Sequence, residues 1–207
     1  MREILDYLVQ GRTAALRITV PEGYNLSQIG ELLVSRGICT HSEWQEALNK
    51  DYRFFYMDNL PDNDRRLEGF LFPDTYQVRK DVSAEEIIQM MLARFEEVWQ
   101  REFAAEAKAR GLTVNKVVTM ASLIEKEARV ASERPRIAGV LYNRLKLGMP
   151  LQVDATILYS LGRHKERVTY KDLEVDSPYN TYLHTGLPPG PIAMPGAESI
   201  RAALWPE

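Results

Sequence analysis

A helical pattern of apolar residues fills the middle of this 207-residue chain and limits the folds open to it. Ser83 and Glu86 form a capping-box pattern, and apolar residues then recur at helical spacing as far as Gly111. Two more helices are predicted, over residues 113–130 and 132–148. Because such helices bury one face against each other, this part of the chain is predicted to be a mainly helical domain.

Shorter elements precede the helical part. Ala14–Val20 predicts a strand, and Pro21–Gly23 predicts a turn. Ser27 is then expected to cap a short helix that Gly37 closes. A second short helix is predicted over Ser42–Asn49. The chain is therefore expected to begin with a small strand–helix unit.

The two parts are expected to meet in the turn-rich residues 59–64. The segment that follows, residues 66–78, is predicted to be extended, although Gly69 and Pro73 indicate a bulge or an edge strand. Its aromatic residues are expected to cover a core: Phe70, Phe72 and Tyr76.

The last third of the chain is predicted to be less regular. An extended piece at 151–154 leads into a short helix over 155–161, and a helical turn follows Thr169. Pro and Gly residues then make residues 177–196 a long loop. The predicted fold class is α+β, with a small strand–helix subdomain and a larger, mainly helical domain that carries short strands.

Composition and spacing argue against several kinds of partner. A net charge of −3 provides no basic surplus for nucleic acid. The lone Cys39 excludes an internal disulfide and a cysteine zinc cluster, and His41, His164 and His184 lack metal-ligand spacing. No apolar stretch approaches the roughly 18 to 20 residues that span a bilayer. We therefore expect no nucleic acid, no metal and no cofactor.

One carboxyl group lies on an apolar helix face. A helix over 113–130 would carry an apolar stripe made of Val114, Val117, Val118, Ala121 and Ala128. Glu125 falls inside this stripe, roughly 20° from Val114 around the helix axis. Loss of hydration there disfavours a charged carboxylate and makes a general acid. An ion pair with an Arg or Lys of another element, or a solvated position, would also explain the pattern, and periodicity alone favours these alternatives.

For several other polar residues, both a functional and a purely structural role are possible. Asp154 is either a second catalytic carboxylate or, more simply, the N-cap of the following helix. Glu68 faces a groove or is a solvated edge residue. Residues Tyr179–Tyr182 carry the hydroxyl, amide and aromatic groups that bind sugars, but such groups are also common in surface turns.

Four segments, in order, resemble the YceG-like family of endolytic murein transglycosylases. They are EGFLFPDTY (68–76), ASLIEKEA (121–128), VLYNRLKLGMPLQVDATILY (140–159) and YNTYLHTGLPPGPIAMPG (179–196). An earlier segment, LRITVPEGYNLSQIGELLVSRGI (16–38), resembles the LysM-like subdomain of that family. The combination covers most of the chain after residue 67 and is far more specific than any single motif.

The resemblance implies a domain organisation and a site. Residues 1–62 would form the LysM-like subdomain with a connecting helix, and residues 63–207 a catalytic domain that is incomplete at its C-terminus. Glu125, the first glutamate of the E-K-E motif, would be the catalytic acid and base. The residues implied to bind substrate are Glu68, Glu127, Asn143, Gln152, Asp154, Tyr179, Asn180 and Tyr182.

The resemblance also implies a reaction. The family cleaves the bond between N-acetylmuramic acid and N-acetylglucosamine within nascent peptidoglycan strands, leaves 1,6-anhydro ends and ends glycan elongation. It implies peptidoglycan strands as the substrate and peptidoglycan synthases as partners. The expected location is the extracytoplasmic face of the bacterial cell membrane, held there by a single N-terminal anchor that these 207 residues lack.

Two alternatives stay open. Glu125 and Asp154 could instead serve a muramidase that uses water as its nucleophile. A protein of another class, a non-catalytic peptidoglycan-binding or scaffold module, would use the helical domain only to present the LysM-like unit. The products of incubation with glycan strands would separate these three functions.

Overall fold

The computed structural model describes residues 16–57, 60, 65–162, 165 and 167–207. The two strands of this part of the chain are β1 (Leu16–Thr19) and β2 (Thr75–Val78). Its α-helices are α1 (Leu26–Ser35), α2 (His41–Leu48), α3 (Ala84–Glu102), α4 (Ala104–Ala109), α5 (Val114–Glu127), α6 (Arg134–Lys146), α7 (Asp154–Leu161) and α8 (Ala197–Leu204). The predicted α+β class is confirmed. Ala14, Ala15, His164 and most of the predicted 59–64 boundary lie outside the described residues.

The two strands form one antiparallel pair. Leu16 lies opposite Val78, and Ile18 lies opposite Tyr76. The side chains of Ile18, Tyr76 and Val78 all point into the core, where they are buried. The sheet therefore joins the N-terminal strand to a strand that follows the predicted domain boundary. Buried residues from both sides of that boundary belong to one continuous hydrophobic cluster.

The segment predicted to be extended over 66–78 is regular only at β2. Residues 65–70 form turns instead, and Gly69 has a positive φ of 87°. A Cβ atom on Gly69 would lie 2.5 Å from the ring of Pro191, which belongs to the loop over residues 177–196, here called the late loop. Only glycine permits this close approach. The predicted aromatic cover is confirmed, because Phe70, Phe72 and Tyr76 are buried.

Helix α1 begins two residues earlier than the sequence suggested. Its N-cap is Asn25, whose Oδ1 accepts from the backbone N of Gln28 at 2.9 Å, while Oε1 of Gln28 accepts from the backbone N of Asn25 at 3.0 Å. The prediction of Ser27 as the cap was wrong, because this reciprocal pair satisfies the free N–H groups first. Gly37 follows the helix with φ of 68°, as expected for a helix end.

The central helices differ from the prediction at their ends. The single helix expected from Ser83 to Gly111 is divided at Phe103, which has φ of −124° and a fully buried ring. Helix α5 ends at Glu127, and Ala128 is already extended. A 3₁₀ turn at Ala131–Glu133 precedes α6, so Ser132 does not cap that helix. Helix α8 was not predicted.

Helix α5 is the centre of the fold. Every residue from Val117 to Ile124 is buried, including Thr119 and Ser122. It packs against α6, α7 and α8. The loop before α8 is attached to it, because the Ser122 hydroxyl accepts from the backbone N of Ile192 at 3.1 Å. Among the described residues, no helix combines the length and apolarity that crossing a membrane requires.

Candidate active site

Glu125 lies in the last turn of α5 with a side chain that is only 8% exposed. Three donors face its carboxyl group. The Ser199 hydroxyl lies 2.6 Å from Oε2, the backbone N of Gly196 lies 3.1 Å from Oε2, and Nη2 of Arg134 lies 3.3 Å from Oε1. The three donors come from α8, from the residue that caps α8, and from the first residue of α6.

These contacts correct the expected surroundings of Glu125. The sequence predicted a carboxyl group that is poorly hydrated on an apolar stripe, and the side chain is indeed nearly buried. However, it is paired with a guanidinium, which is the alternative that periodicity favoured. All three contacts stabilise the charged carboxylate. The pairing arises because the short turn at Ala131–Glu133 brings Arg134 back against the end of α5.

A second carboxylate shares the same guanidinium. Glu22, in the turn after β1, has Oε2 at 3.7 Å from Nη2 of Arg134, and its side chain is half exposed. Partial burial raises the pKa of Glu22, the negative charge of Glu125 raises it further, and Arg134 opposes both effects. The site therefore contains two carboxylates that compete for one cation.

The backbone of the late loop holds the Glu22 turn in place. The N of Gly23 donates to the carbonyl of Met194 at 2.8 Å, and the N of Met194 donates to the carbonyl of Tyr24 at 2.7 Å. A Cβ atom on Gly196 would lie 1.9 Å from Oε1 of Glu22. The absence of a side chain at Gly196 thus lets both carboxylates approach the start of α8.

A second polar cluster contains Glu127, Asp154 and Tyr182. The Tyr182 hydroxyl donates to Oδ1 of Asp154. Dehydration by the surrounding protein raises the pKa of Glu127, and the negative charge of Asp154 adds to this rise. Asp154 is the first residue of α7, and Val153 occupies the N-cap position. The predicted N-cap role of Asp154 was therefore wrong, because its carboxylate bonds Tyr182 instead.

Gln152 lies beside this cluster in a strained conformation. Its φ of 54° is unusual for a residue other than glycine. Its backbone N donates to the carbonyl of Thr181 at 3.0 Å, and its side-chain Oε1 accepts from Nη1 of Arg144 at 2.9 Å. Asn143 precedes Arg144 on α6 and is exposed. Strain of this kind is common at binding sites, where surrounding contacts hold it.

Glu68 lies apart from both clusters, between Leu26 and Tyr159, and only 3% of its surface is exposed. Its carboxyl group accepts from the backbone N of Leu26 at 3.2 Å and from the Tyr159 hydroxyl at 3.1 Å. Burial raises its pKa to about 8, although these two hydrogen bonds and the charge of Arg65 oppose the rise. Glu68 therefore links the N-terminal unit to α7, and it lines a cleft of about 440 Å³ between them.

Two residues of the late loop, Tyr179 and Asn180, attach it to the rest of the fold through their side chains. The ring of Tyr179 lies 5.0 Å from that of Tyr159, and the guanidinium of Arg65 lies over both rings. Asn180 is fully buried; its Nδ2 donates to the carbonyls of Leu173 and Val175. These two bonds engage both N–H hydrogens of the Asn180 amide.

The structure thus separates the predicted site residues into groups. Glu125 is surrounded by its three hydrogen-bond donors. A second group contains Glu127, Gln152, Asp154 and Tyr182. In a third group, Glu68 and Tyr179 share contacts with Tyr159 and Arg65. Among the described residues, no group of three or more His, Cys, Asp or Glu is arranged to hold a metal ion.

Sequence reasoning missed the residues that surround Glu125: Glu22, Arg134, Gly196 and Ser199. The sequence suggested an Arg or Lys partner from another element, but it offered no means of choosing Arg134 over other arginines nearby along the chain, such as Arg129 or Arg136. Gly196 and Ser199 lie more than 70 residues from Glu125. Only the packing of α8 on α5 brings them to the carboxyl group.

The fold and this site define an α+β protein whose buried candidate acid lies where an N-terminal strand–helix unit meets the end of a core helix. The chain belongs to the YceG-like family, whose model matches residues 1–207. The resemblance that the four sequence segments indicated is therefore confirmed.

Several known proteins are similar to this chain. It is 44% identical to a Bacillus subtilis protein named endolytic murein transglycosylase, over 99% of this chain and 60% of that protein. It is 35% identical to a Streptococcus pneumoniae protein of the same name, over 90% of this chain and 38% of that protein. A crystal structure of a YceG-like protein from Listeria monocytogenes matches with a TM-score of 0.86 and 38% identity, over 100% of this chain and 72% of that one. The chain thus spans about 60% or less of the two named relatives.

Proposed function

We propose that this protein is an endolytic lytic transglycosylase that acts on peptidoglycan. It would cleave the bond between N-acetylmuramic acid and N-acetylglucosamine inside nascent strands, leave 1,6-anhydro ends and so end glycan elongation. The names of the two relatives support this proposal. The observation that carries it is the nearly buried Glu125 carboxyl group, which three donors contact. The sequence resemblance implies that this residue is the catalytic acid.

Glu125 would act first as an acid and then as a base. The protonated carboxyl group gives its proton to the glycosidic oxygen as the bond from that oxygen to C1 of the muramic acid breaks. The 6-hydroxyl oxygen of the same sugar then forms a bond to C1, and its proton passes to the Glu125 carboxylate. Water is not consumed, and Glu125 regains the proton that it lost. Because the nucleophile belongs to the substrate, a second catalytic carboxylate is not needed.

The donors around Glu125 fit this cycle. When Glu125 gives up its proton, the resulting carboxylate meets Arg134, Ser199 and the N–H of Gly196, which are already in place. Such preorganised donors stabilise charge where it develops and need no rearrangement. Arg134 also contacts Glu22, at 3.7 Å from its Oε2.

We assign the remaining predicted residues to the substrate cleft in two roles. Gln152, Asp154 and Asn143 are exposed and can offer polar groups to the sugar, together with Glu127 and Tyr182. Buried residues would instead shape the wall behind them, which is the role we assign to Glu68, Tyr179 and Asn180.

We further propose the setting in which the protein works. Residues 1–62 would act as a LysM-like glycan-binding subdomain, and residues 63–207 would belong to the catalytic domain. The natural protein would lie at the extracytoplasmic face of the cell membrane, attached by a single-pass anchor. Peptidoglycan synthases would be its partners, because nascent strands are found where these enzymes work.

Mass spectrometry of digested, uncrosslinked glycan strands tests the proposed reaction. The longest natural chain that contains these 207 residues should release fragments with anhydro ends, and Glu125→Gln should release none while keeping its fold. Reducing ends that are heavier by one water would instead identify a hydrolase, and Asp154→Asn should then abolish cleavage as well. Strands that remain at full length with the unchanged protein would identify a binding module. Retained cleavage by Glu125→Gln would refute the assigned acid.

A further inference from the structure

Glu22 and Glu125 contact the same nitrogen of the same side chain. Nη2 of Arg134 lies 3.3 Å from Oε1 of Glu125 and 3.7 Å from Oε2 of Glu22. The distance between Oε1 of Glu125 and Oε2 of Glu22 is therefore at most the sum of these two distances. The Arg134 side chain is only 15% exposed, so solvent screens this arrangement weakly.

We propose that Glu22 is a positioning residue that sets the pH at which Glu125 ionises, by competing with it for Arg134. The catalytic consequence of this competition rests on the proposed function, in which Glu125 must be protonated to act as an acid. Glu22 itself need not touch the substrate. Its effect passes through the guanidinium and through direct repulsion between the two carboxylates.

Charged groups from every neighbouring element contribute to this balance. Arg134 comes from α6, and Lys126 of α5 directs its Nζ to a backbone carbonyl of the Glu22 turn, 3.2 Å away. Glu198 of α8 adds a further negative charge that acts on Glu22. Glu198 itself is largely exposed and pairs with Arg201 at 3.4 Å. Arg134 is thus the cation that both Glu22 and Glu125 contact within 4 Å.

The pKa of Glu22 supports an electrostatic interaction between the two carboxylates. Burial raises the pKa of Glu22, and the negative charge of Glu125 is the next largest cause. The negative charges of Glu22 and Glu125 therefore repel each other beside the guanidinium of Arg134.

The competition is fixed by the fold. Two backbone hydrogen bonds join the Glu22 turn to Met194, and a Cβ atom on Gly196 would overlap the Glu22 carboxyl group. The N-terminal unit therefore places one of its own carboxylates in the site of the helical domain. The contact between Glu22 and Arg134 therefore depends on how the turn after β1 packs against the start of α8.

The test compares ionisation of Glu125 in the unchanged chain and in Glu22→Gln, which keeps the size of the side chain. Without the charge of Glu22, Arg134 pairs with Glu125 alone, which favours the charged form of the Glu125 carboxyl group. Carbon-13 NMR titration should therefore show Glu125 ionising at a pH lower by roughly half a unit to one unit. In the longest natural chain, the alkaline limb of the cleavage rate should move in the same direction, because the protonated acid is lost earlier.

A second variant and a control keep the test specific. Gly196→Ala introduces a Cβ where the Glu22 carboxyl group lies, so it should push that group from Arg134 and shift Glu125 in the same direction. Glu46→Gln makes the same change of charge at an exposed glutamate that bonds Ser42, and it should leave the titration of Glu125 unchanged.

The inference fails if Glu125 titrates identically in Glu22→Gln and in the unchanged chain, or if Glu46→Gln produces an equal shift. The NMR titration requires no turnover, so its result is separate from that of the proposed function. The proposed function fails instead when Glu125→Gln still cleaves glycan strands.

Discussion

The Ser199 hydroxyl donates to Oε2 of Glu125 across 2.6 Å, although 74 residues separate the two along the chain. Ser199 is fully buried, and its oxygen also accepts from Nε of Arg134 at 3.0 Å. One hydroxyl therefore connects the carboxylate to the cation that balances it. Because hydrogen bonds to charged groups are the stronger ones, this contact should influence both stability and catalysis.

Ser199→Ala should lower the free energy of unfolding by about 1–3 kcal/mol, because it removes a donor from a buried carboxylate and an acceptor from Arg134. Under the proposed function, the rate of glycan cleavage by the longest natural chain should fall roughly 10- to 100-fold for the same reason. Chemical denaturation and the initial rate of anhydro-end formation measure the two effects.

The matched control for Ser199 is Ser35→Ala, which removes an exposed hydroxyl that bonds the Leu32 carbonyl within α1. It should leave the rate unchanged and alter stability by about 0.5 kcal/mol or less. An unchanged cleavage rate in Ser199→Ala would show that its hydroxyl does not support Glu125.

Glu68 should make stability depend on pH. Its pKa rises from 4.5 to about 8 in the folded protein because the carboxyl group is buried. Between these values the folded state holds a proton that the unfolded state has lost, so the free energy of unfolding falls as pH rises from about 4.5 to about 8. The loss should be on the order of a few kcal/mol, and it should level off above that range.

Glu68→Gln should remove most of this pH dependence, because an amide of similar shape carries no titrating proton. The difference in unfolding free energy between pH 5 and pH 8 should be much smaller for the variant than for the unchanged chain. Glu46→Gln, with its exposed side chain, should retain the original slope. If the slope persists in Glu68→Gln, another group is responsible.

Asn25 and Ser27 offer a direct test of where α1 begins. Asn25→Ala removes a side chain that accepts from the backbone N of Gln28, so it should cost about 1 kcal/mol of stability. Ser27→Ala lies inside the first turn and should cost much less, since alanine is a favourable helix residue there. Thermal unfolding of both variants decides the matter. A larger cost for Ser27→Ala would contradict the observed cap.

Local signals in the sequence determined most of the secondary structure. The capping box at Ser83 and Glu86 placed the start of α3 correctly, because it depends only on residues within one helical turn. The positive φ of Gly37 and Gly148 likewise marked helix ends that the sequence indicated. Where local signals competed, as at Asn25 and Ser27, or where a buried ring such as Phe103 interrupted a helix, the prediction failed.

The sequence alone also determined that Glu125 was the carboxylate to examine, through its position on the stripe of α5 and through the E-K-E segment. Only the tertiary structure decided what surrounds it. Arg134 arrives through a tight turn, Ser199 and Gly196 through α8, and Glu22 through a turn held by the late loop. Helical periodicity records which face of a helix is buried, but it carries no information about the distant groups that pack there. The charge balance of Glu125 therefore depends on long-range packing.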